Sequence, residues 1–335
     1  MEKIKIAING FGRIGRNLFR LLINHPTIEV VAINDIADNR TMAHLLKYDS
    51  IHGKLPQEVT FTNDAILVDG IPFLFFHEKE ISRLHWKNLA VDFVIECTGK
   101  FKTFEEIQQH IDAGAKKVIL SAPSEVEEIK TIVLGVNEFT LNGTETIVSN
   151  ASCTTNNAAP MIKVIDELCG IEQAYITTVH SYTTDQSLHD QPHKDLRRAR
   201  GATQSIVPTT TGAAKALTKI FPKLDTKLGG CGIRVPVPDG SLTDITCNVS
   251  KSISIEEINL AFKTASQTYL KGILDYTEDP IVSVDILDNP HSCVFDAQLT
   301  SVIDNMVKVV GWYDNEIGYS NRLIDLILYM NLIKK

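Results

Sequence analysis

Gly10-Phe11-Gly12-Arg13-Ile14-Gly15 follows directly on a strand-like run, Lys3 to Ile8, and leads into a helical run, Asn17 to Ile23. In this G-x-G-x-x-G spacing the glycines allow a tight turn and a close approach of the backbone to a pyrophosphate at the helix N-terminus. A second strand-like run, Glu29 to Ile33, is followed by Asp35. A carboxylate there would accept hydrogen bonds from a ribose diol and repel a 2′-phosphate. This order predicts a dinucleotide-binding βαβ unit and disfavours a glycine-rich turn without a ligand.

Further strand-like runs in the N-terminal half extend the βαβ unit to a doubly wound sheet. They are Val91 to Glu96, Lys117 to Leu120, Ile129 to Val136 and Thr146 to Val148, and Phe104 to Ala113 is predicted to be a crossover helix. Thr98 and Ser121 follow two of these runs, and small residues at the carboxyl ends of parallel strands line the crevice in which such sheets bind ligands. Ordinary turn chemistry is the alternative for both segments, and the preceding βαβ unit favours ligand binding.

A cysteine lies where a strand-like run gives way to a helical run, in Ser149-Asn150-Ala151-Ser152-Cys153-Thr154-Thr155-Asn156. The N–H groups and the positive dipole end of a helix N-terminus favour a thiolate over a thiol. Thr154 and Thr155 are capping residue types that also suit an anion at this position. The segment alone fits a reactive nucleophile and a buried, inert cysteine equally well, because free cysteines are usually structural.

The pattern changes after about residue 170, where strand-like and helical runs follow with hairpin-like spacing. Strands are predicted at Ala174 to His180, Gly232 to Val237, Leu242 to Ser250, Asp296 to Val302 and Met306 to Tyr313, and helices at Pro208 to Ile220, Ile255 to Leu270 and Tyr319 to Ile333. Only Ile303-Asp304-Asn305 separates two of these strands, which predicts an antiparallel sheet with helices on one face. The predicted fold class is α/β: a doubly wound Rossmann-type parallel sheet plus an α+β catalytic domain with a mostly antiparallel sheet.

His180 ends a predicted strand and is the candidate base for the Cys153 thiol. A nucleophilic cysteine needs a base within hydrogen-bond reach, and such partners meet in space rather than in sequence. The chain has 10 histidines, so this choice depends on the strand-end position of His180. Hydroxyl, guanidinium and glycine groups suited to a phosphate follow it at Thr183, Arg198, Thr211, Gly212 and Arg234.

A long polar stretch, Ser181 to Thr203, shows no apolar period, and a loop of this length inside a compact domain is usually functional. It contains the one strong basic cluster, His193 to Arg200, which is predicted to be mostly solvated or in contact with another subunit. Arg234 differs, because it lies within a strand-like run. That position favours a ligand-directed or buried, paired guanidinium over a free surface one.

Length and composition limit the class of protein. The 335 residues suffice for two domains, and 44% hydrophobic with 22% charged residues disfavours disorder. The net charge of −8 disfavours a general nucleic-acid or anionic-membrane binder. The six cysteines form no CxxC pair, so no metal site is expected. With no secretory signal and no apolar run of about 18 residues, we expect a cytoplasmic location with reduced thiols and no membrane contact.

Five segments, in order along nearly the whole chain, are similar to the phosphorylating glyceraldehyde-3-phosphate dehydrogenase family. They are Asn9 to Arg16, Ser149 to Asn156, His180 to Thr183, Pro208 to Ala214 and Trp312 to Glu316. The resemblance implies oxidation of glyceraldehyde 3-phosphate with NAD and inorganic phosphate, through a thioester, in a homotetramer. It also implies an NAD-binding Rossmann domain over residues 1–151, completed by a C-terminal helix, 316–335, and a catalytic domain over 152–315.

The same resemblance implies a role for each matched residue. Cys153 would be the nucleophile and His180 the base. The cofactor site would include Gly10, Gly12, Arg13, Ile14, Gly15, Asp35, Lys79, Thr98, Ser121 and Asn315. Thr183 and Arg234 would hold the substrate phosphate, and Ser152, Thr154, Arg198, Thr211 and Gly212 would bind the attacking phosphate or share in binding. The chemistry agrees, because phosphorolysis of a phosphorylated substrate requires two anion sites.

Three positions depart from the family pattern. Asn157 replaces the second cysteine that many relatives carry four residues after the nucleophile, so a nearby resolving thiol is absent. Ile36 and Gln191 replace leucines common in NAD-specific relatives, whereas Asp35 and Pro192 match the NAD type. We therefore expect NAD over NADP.

Two other functions compete with this interpretation. Erythrose-4-phosphate dehydrogenase is a close relative, whose sequences usually diverge from the intact Ser181 to Thr183 and Thr209 to Gly212 segments of this chain. A non-catalytic dinucleotide- or RNA-binding relative is the other alternative. Retention of Cys153, His180 and both sets of anion-binding groups argues against it.

Overall fold

Two sheets organise the chain, and the computed structural model describes residues 3–333. Contacts divide the described residues into two units. The first unit contains the chain up to Ile132, Phe139–Ala151 and the chain from Ser320 onward, and the second contains Val133–Glu138 and Ser152–Tyr319. Within the described residues, no helix combines the length and the apolar character needed to cross a membrane.

The first unit is built on a mixed sheet with a parallel centre. Its strands are β1 (Ile4–Asn9), β2 (Ile28–Asn34), β3 (Tyr48–Asp49), β4 (Gly53–Lys54), β5 (Val59–Phe61), β6 (Ala65–Val68), β7 (Ile71–Phe76), β8 (Phe93–Glu96), β9 (Lys117–Leu120), β10 (Lys130–Thr131) and β11 (Ile147–Ser149). Its helices are α1 (Arg13–Leu22), α2 (Asn39–Lys47), α3 (Phe104–Asp112) and, from Ser320 onward, the greater part of the last helix of the chain. The sheet runs β10-β11-β9-β8-β1-β2-β7-β6-β5, with β3 and β4 paired separately. All its pairings from β10 to β7 are parallel, which confirms the predicted Rossmann-type sheet.

Two parts of the first unit differ from the predictions. Helix α1 begins at Arg13 rather than Asn17, because Gly12 is its N-cap and the end of the glycine motif forms its first turn. The run predicted as a strand over Ile129 to Val136 contains only β10. Central strands are buried on both faces, as Ile6, Ile8, Val94 and Ile119 show, and this burial explains their continuous apolar runs.

The second unit is built on a mostly antiparallel sheet, as predicted. Its elements are α4 (Cys153–Cys169), β12 (Ile171–Ser181), β13 (Val207–Thr209), α5 (Ala213–Ile220), β14 (Leu228–Val235), β15 (Ser241–Val249), α6 (Ile255–Gln267), β16 (Leu274–Thr277), β17 (Cys293–Asp296), β18 (Ser301–Ile303), β19 (Met306–Tyr313) and the first turn of α7 (Ile317–Leu332). The sheet runs β13-β14-β12-β15-β19-β17-β16, and β18 pairs with β19. Among the described strands of this second sheet, the only parallel pairs are β12 with β14 and β16 with β17.

Two predicted elements of the second unit were wrong. The helix predicted from Pro208 begins at Ala213, because Val207–Thr209 pairs with β14 as an edge strand. Proline lacks an N–H donor and is tolerated at such an edge. The strand predicted over Asp296 to Val302 is interrupted by a 3₁₀ turn, Ala297–Leu299, where the Asp296 side chain accepts a hydrogen bond from the Gln298 N–H.

Candidate active site

Cys153 is the first residue of α4, and Ser152 is the N-cap of that helix. The Ser152 hydroxyl accepts a hydrogen bond from the Thr155 N–H at 3.1 Å, so Ser152 performs the capping that the sequence assigned to the threonines. The polar first turn, Cys153 to Asn156, is part of the helix, which therefore begins ahead of its apolar residues. The thiol therefore lies at the positive end of a 17-residue helix.

His180 lies next to this thiol, with its Nε2 atom 3.4 Å from Sγ of Cys153. It is the penultimate residue of β12 and is only 4% exposed. The parallel register of β12 and β14 pairs His180 directly with Arg234. Strand pairing therefore brings together a base and a guanidinium that lie 54 residues apart in sequence.

The other ring nitrogen of His180 has two competing partners. Its Nδ1 atom lies 2.8 Å from the Ser181 carbonyl oxygen and 2.8 Å from Nη1 of Arg234. Arg234 also donates a hydrogen bond to the Ser181 carbonyl at 2.8 Å. A proton on Nδ1 would be donated to the carbonyl and would leave the Nε2 lone pair facing the thiol, which is the arrangement a general base needs.

Burial opposes charge on both members of the pair. It raises the pKa of the Cys153 thiol, while the positive charge of Arg234 and a hydrogen bond from the Thr154 N–H act to lower it. Burial, followed by the charge of Arg234, lowers the pKa of His180 to about 3. The imidazole is therefore neutral at pH 7, and burial opposes the thiolate that helix position alone favoured at Cys153.

Tyr313 is a buried site residue that the sequence analysis did not single out. Its hydroxyl oxygen lies 3.0 Å from the hydroxyl oxygens of both Thr154 and Thr178. Its ring contacts the His180 ring edge-to-face, with 5.9 Å between centroids. The Thr154 hydroxyl, which the resemblance assigned to phosphate, is thus directed to Tyr313 in this structure. No local pattern distinguishes this tyrosine, which lies at the end of β19.

A second guanidinium approaches the pair from the polar loop. Nε of Arg198 donates to the Thr209 hydroxyl at 2.8 Å, and the guanidinium pairs with Asp185. Its positive charge contributes to the lowered pKa of His180, after burial and Arg234. Two guanidiniums whose charges act on one imidazole form an environment suited to anions.

The remaining predicted anion-binding residues make local contacts. The Thr211 hydroxyl accepts a hydrogen bond from the Ala213 N–H at 3.2 Å, and Gly212 is the N-cap of α5. The Thr183 N–H donates to the Gln186 side chain at 3.4 Å. Within the described residues, neither of these hydrogen bonds joins Thr183 or Thr211 to Cys153. Their part in a phosphate site stays a prediction.

The glycine turn of the first unit borders a cavity of about 590 Å³. Its lining includes five residues expected at the cofactor site, namely Gly10, Gly12, Asp35, Lys79 and Thr98. The φ angle of Gly10 is +97°, and a Cβ atom there would lie 2.7 Å from the Thr98 nitrogen. A Cβ atom on Gly12 would meet nothing within 4 Å. Gly10 is therefore required because a side chain there would clash with the backbone, whereas the open space beside Gly12 fits a pyrophosphate.

Asp35 is held at the edge of this cavity by two backbone N–H groups. Its carboxylate accepts hydrogen bonds from Phe11 at 2.7 Å and from Ala37 at 3.0 Å. The first of these bonds ties the acid at the end of β2 to the glycine turn. The position and charge of Asp35 suit a ribose diol, as the sequence analysis expected.

The other residues expected at the cofactor site occupy different positions. Arg13 and Ile14 lie in the first turn of α1, and Arg13 pairs with Asp49 at 2.5 Å. A Cβ atom on Gly15 would collide with the Gly10 carbonyl oxygen. Ser121 directly follows β9. Asn315 belongs to the second unit, where its side-chain oxygen accepts hydrogen bonds from the hydroxyls of Ser181 and Ser241.

Comparison with known proteins finds one family-model match within each of the two units. Residues 4–104 match the model of the glyceraldehyde 3-phosphate dehydrogenase NAD binding domain, and residues 152–315 match the C-terminal domain of the same enzyme. A glyceraldehyde-3-phosphate dehydrogenase of Mycobacterium avium is 54% identical and covers 97% of each chain. Enzymes of that name from Streptomyces avermitilis, numbered 2, and Geobacillus stearothermophilus are 53% and 51% identical, each over 98% of both chains. The chain therefore belongs to the glyceraldehyde-3-phosphate dehydrogenase family.

Proposed function

We propose that this protein is an NAD-dependent, phosphorylating glyceraldehyde-3-phosphate dehydrogenase. It would convert glyceraldehyde 3-phosphate and inorganic phosphate to 1,3-bisphosphoglycerate. The observation that carries the proposal is the 3.4 Å approach of His180 Nε2 to Cys153 Sγ, beside the partly buried guanidinium of Arg234. A nucleophile, a base and a cation suited to a phosphate are the groups that this reaction requires.

Cys153 acts first, as the nucleophile. As its sulfur bonds to the aldehyde carbon, His180 Nε2 accepts the thiol proton, so the neutral imidazole of the resting site is the competent form. The imidazolium that results stabilises the new oxyanion by donating a hydrogen bond to it. With its proton on Nδ1, the ring donates to the Ser181 carbonyl, and this hydrogen bond would keep the ring oriented.

The second half of the reaction releases the product. NAD, when bound, supplies the acceptor for the hydride that leaves the substrate carbon, and a thioester to Cys153 remains. The positive groups whose charges act on His180, Arg234 and Arg198, would orient phosphate groups. A phosphate oxygen then attacks the thioester carbonyl, the carbon–sulfur bond breaks, and His180 returns a proton to the sulfur. The acyl phosphate keeps the energy of the thioester.

The proposal extends to assembly and location. Leu188 and Leu196 in the polar loop, and Ile206 after it, are 67%, 81% and 70% exposed. Apolar side chains this exposed are typical of a surface that another protein chain covers. They support contact of the loop with a neighbouring subunit. A homotetramer and a cytoplasmic location are the remaining parts of the proposal, and both follow from the family resemblance. Light scattering on the purified protein tests the mass of the assembly.

An assay of NADH formation tests the activity. With glyceraldehyde 3-phosphate, we expect NADH formation to continue beyond the first turnover only when inorganic phosphate or arsenate is present. Erythrose 4-phosphate in the same assay separates the nearest alternative, since a higher kcat/KM with that aldehyde would reject our assignment. A Cys153→Ser variant that binds NAD without turnover separates an enzyme from a dinucleotide-binding relative.

A further inference from the structure

A fully buried carboxylate, Glu96, lies at the carboxyl end of β8 beneath the glycine turn. One carboxylate oxygen accepts hydrogen bonds from the N–H and the hydroxyl of Thr98, the first at 2.8 Å. The other accepts from Asn9 Nδ2 at 2.5 Å and lies 3.2 Å from His110 Nε2. Burial of a carboxylate is costly unless its oxygens are hydrogen-bonded, and here each oxygen has two partners.

The direction of these hydrogen bonds is fixed by Trp86. Its indole N–H, which can only donate, lies 3.0 Å from Nδ1 of His110. His110 must therefore carry its proton on Nε2 and donate it to Glu96. Both His110 and Trp86 are completely buried, so water does not provide an alternative partner. All four groups that face the carboxylate are donors.

The network continues across the sheet from Asn9. The Asn9 side-chain oxygen accepts a hydrogen bond from Asn34 Nδ2 at 2.7 Å, and Asn34 in turn exchanges two hydrogen bonds with the backbone of Glu78, each 2.9 Å long. These residues follow or end β8, β1, β2 and β7, which are adjacent in the sheet. One chain of side-chain hydrogen bonds thus joins the carboxyl ends of four neighbouring strands.

The same strand ends form the floor of the cofactor cavity. Asn9, Asn34, Glu78 and Thr98 all line it, whereas Glu96 lies beneath them without lining it. The Thr98 nitrogen is also the atom against which Gly10 packs. We propose that Glu96 is a positioning residue for the dinucleotide, because it fixes Asn9 on one side of the glycine turn and Thr98 on the other. The proposal rests on NAD being the ligand of this cavity.

Both acceptor oxygens of Glu96, and not only its shape, are needed for this role. In a Glu96→Gln variant, an NH₂ group replaces one acceptor oxygen and faces either Thr98 or the pair Asn9 and His110. When the NH₂ group faces Asn9, rotation of the Asn9 amide would turn its oxygen toward that group but would break the hydrogen bond from Asn34. A proton shift in His110 would likewise give that group an acceptor but would break the bond from Trp86. Each repair therefore displaces the next group of the network.

The test is a direct measurement of NAD binding by calorimetry. We expect Glu96→Gln to raise the NAD Kd and KM at least tenfold, with kcat at saturating NAD and the KM for glyceraldehyde 3-phosphate changed less than twofold. Val68→Ala is the matched control, since Val68 is buried in β6 of the same unit and does not line the cavity. It should lower Tm and leave the Kd unchanged.

A milder variant covers the case in which Glu96→Gln does not fold. Trp86→Phe retains an aromatic ring but frees His110 Nδ1, and we expect a threefold or larger rise in the NAD Kd. Unchanged NAD affinity in the folded variants would overturn the proposal, and so would an equal rise in Val68→Ala. A wild-type protein that binds no NAD would instead reject the proposed function, so the two failures are distinguishable.

Discussion

Arg234 lies in register with His180 on the neighbouring parallel strand, and its Nη1 atom is 2.8 Å from the histidine Nδ1. The guanidinium therefore acts on the Cys153 thiol both directly and through His180. Its charge lowers the pKa of Cys153 against the effect of burial, and it also lowers the pKa of His180 after burial. It further competes with the imidazole for the Ser181 carbonyl.

Replacement of Arg234 by glutamine should make Cys153 less reactive at neutral pH. Loss of the positive charge removes the influence that lowers the thiol pKa, so the thiolate fraction falls at a given pH. A rise of one pKa unit reduces that fraction about tenfold. Iodoacetamide alkylation of Cys153 between pH 6 and 10 measures the effect. Lys219→Gln, in α5, is the charge-matched control, and an unshifted pH profile in Arg234→Gln would contradict the prediction.

Asp35→Asn should weaken the preference for NAD over NADP. The amide oxygen can still accept the 2.7 Å hydrogen bond from Phe11, so the glycine turn is retained, but the charge that repels a 2′-phosphate is lost. We expect the ratio of kcat/KM for NADP to that for NAD to rise about tenfold, which corresponds to about 1.4 kcal/mol. Asp38→Asn, at the N-cap of α2, changes the same charge nearby and should leave the ratio unchanged.

Peroxide should inactivate the enzyme through a sulfenic acid on Cys153 without an intrasubunit disulfide. Asn157 occupies the position one helical turn after the nucleophile and donates hydrogen bonds to the carbonyls of Gly311 and Trp312, at 3.3 and 3.2 Å. A thiol reagent should restore activity while oxidation is at the sulfenic stage. Peptide mass spectrometry with a sulfenic-acid probe checks this outcome. A disulfide from Cys153 to another cysteine of the same chain would refute it.

Asp239→Asn should stabilise the protein most at alkaline pH. Burial and the neighbouring charges of Asp314 and Glu316 raise the pKa of Asp239 to about 8. The folded state thus keeps a proton that the unfolded chain has lost above pH 4, so stability falls as pH rises from about 4 to 8. Asparagine removes this dependence. We expect Tm to rise by about 2 to 4 °C at pH 8 and less at pH 5. An equal change at both pH values would indicate a packing effect instead.

The sequence predicted those parts of the molecule that depend on local pattern. The strand, the glycine turn, the helix and the acid occur within one short segment. The dinucleotide-binding fold and the position of Asp35 could therefore be predicted from local sequence. Cys153 and His180 could be selected as candidates from the sequence because each lies at the end of a predicted element. Pro208 and Thr209 were assigned to a helix because their partner strand, β14, lies further along the chain and gives no local signal.

Long-range contacts explain the other omissions. The roles of Tyr313 and Glu96 arise from hydrogen bonds to residues distant in sequence, such as Thr154 and Asn9. The protonation of Cys153 depends on burial, which a helix-terminus argument does not include. Such effects follow from packing and strand register, and neither is a property of one segment.

The central claim is that Cys153 carries the substrate as a thioester between hydride transfer and phosphate attack. Peptide mass spectrometry after one turnover with glyceraldehyde 3-phosphate and NAD, in the absence of phosphate, tests it most directly. We predict a phosphoglyceroyl adduct on the Cys153 peptide that disappears when inorganic phosphate is added and 1,3-bisphosphoglycerate is released. Full NADH formation with an unmodified Cys153 peptide, or an adduct that phosphate does not remove, would contradict the account.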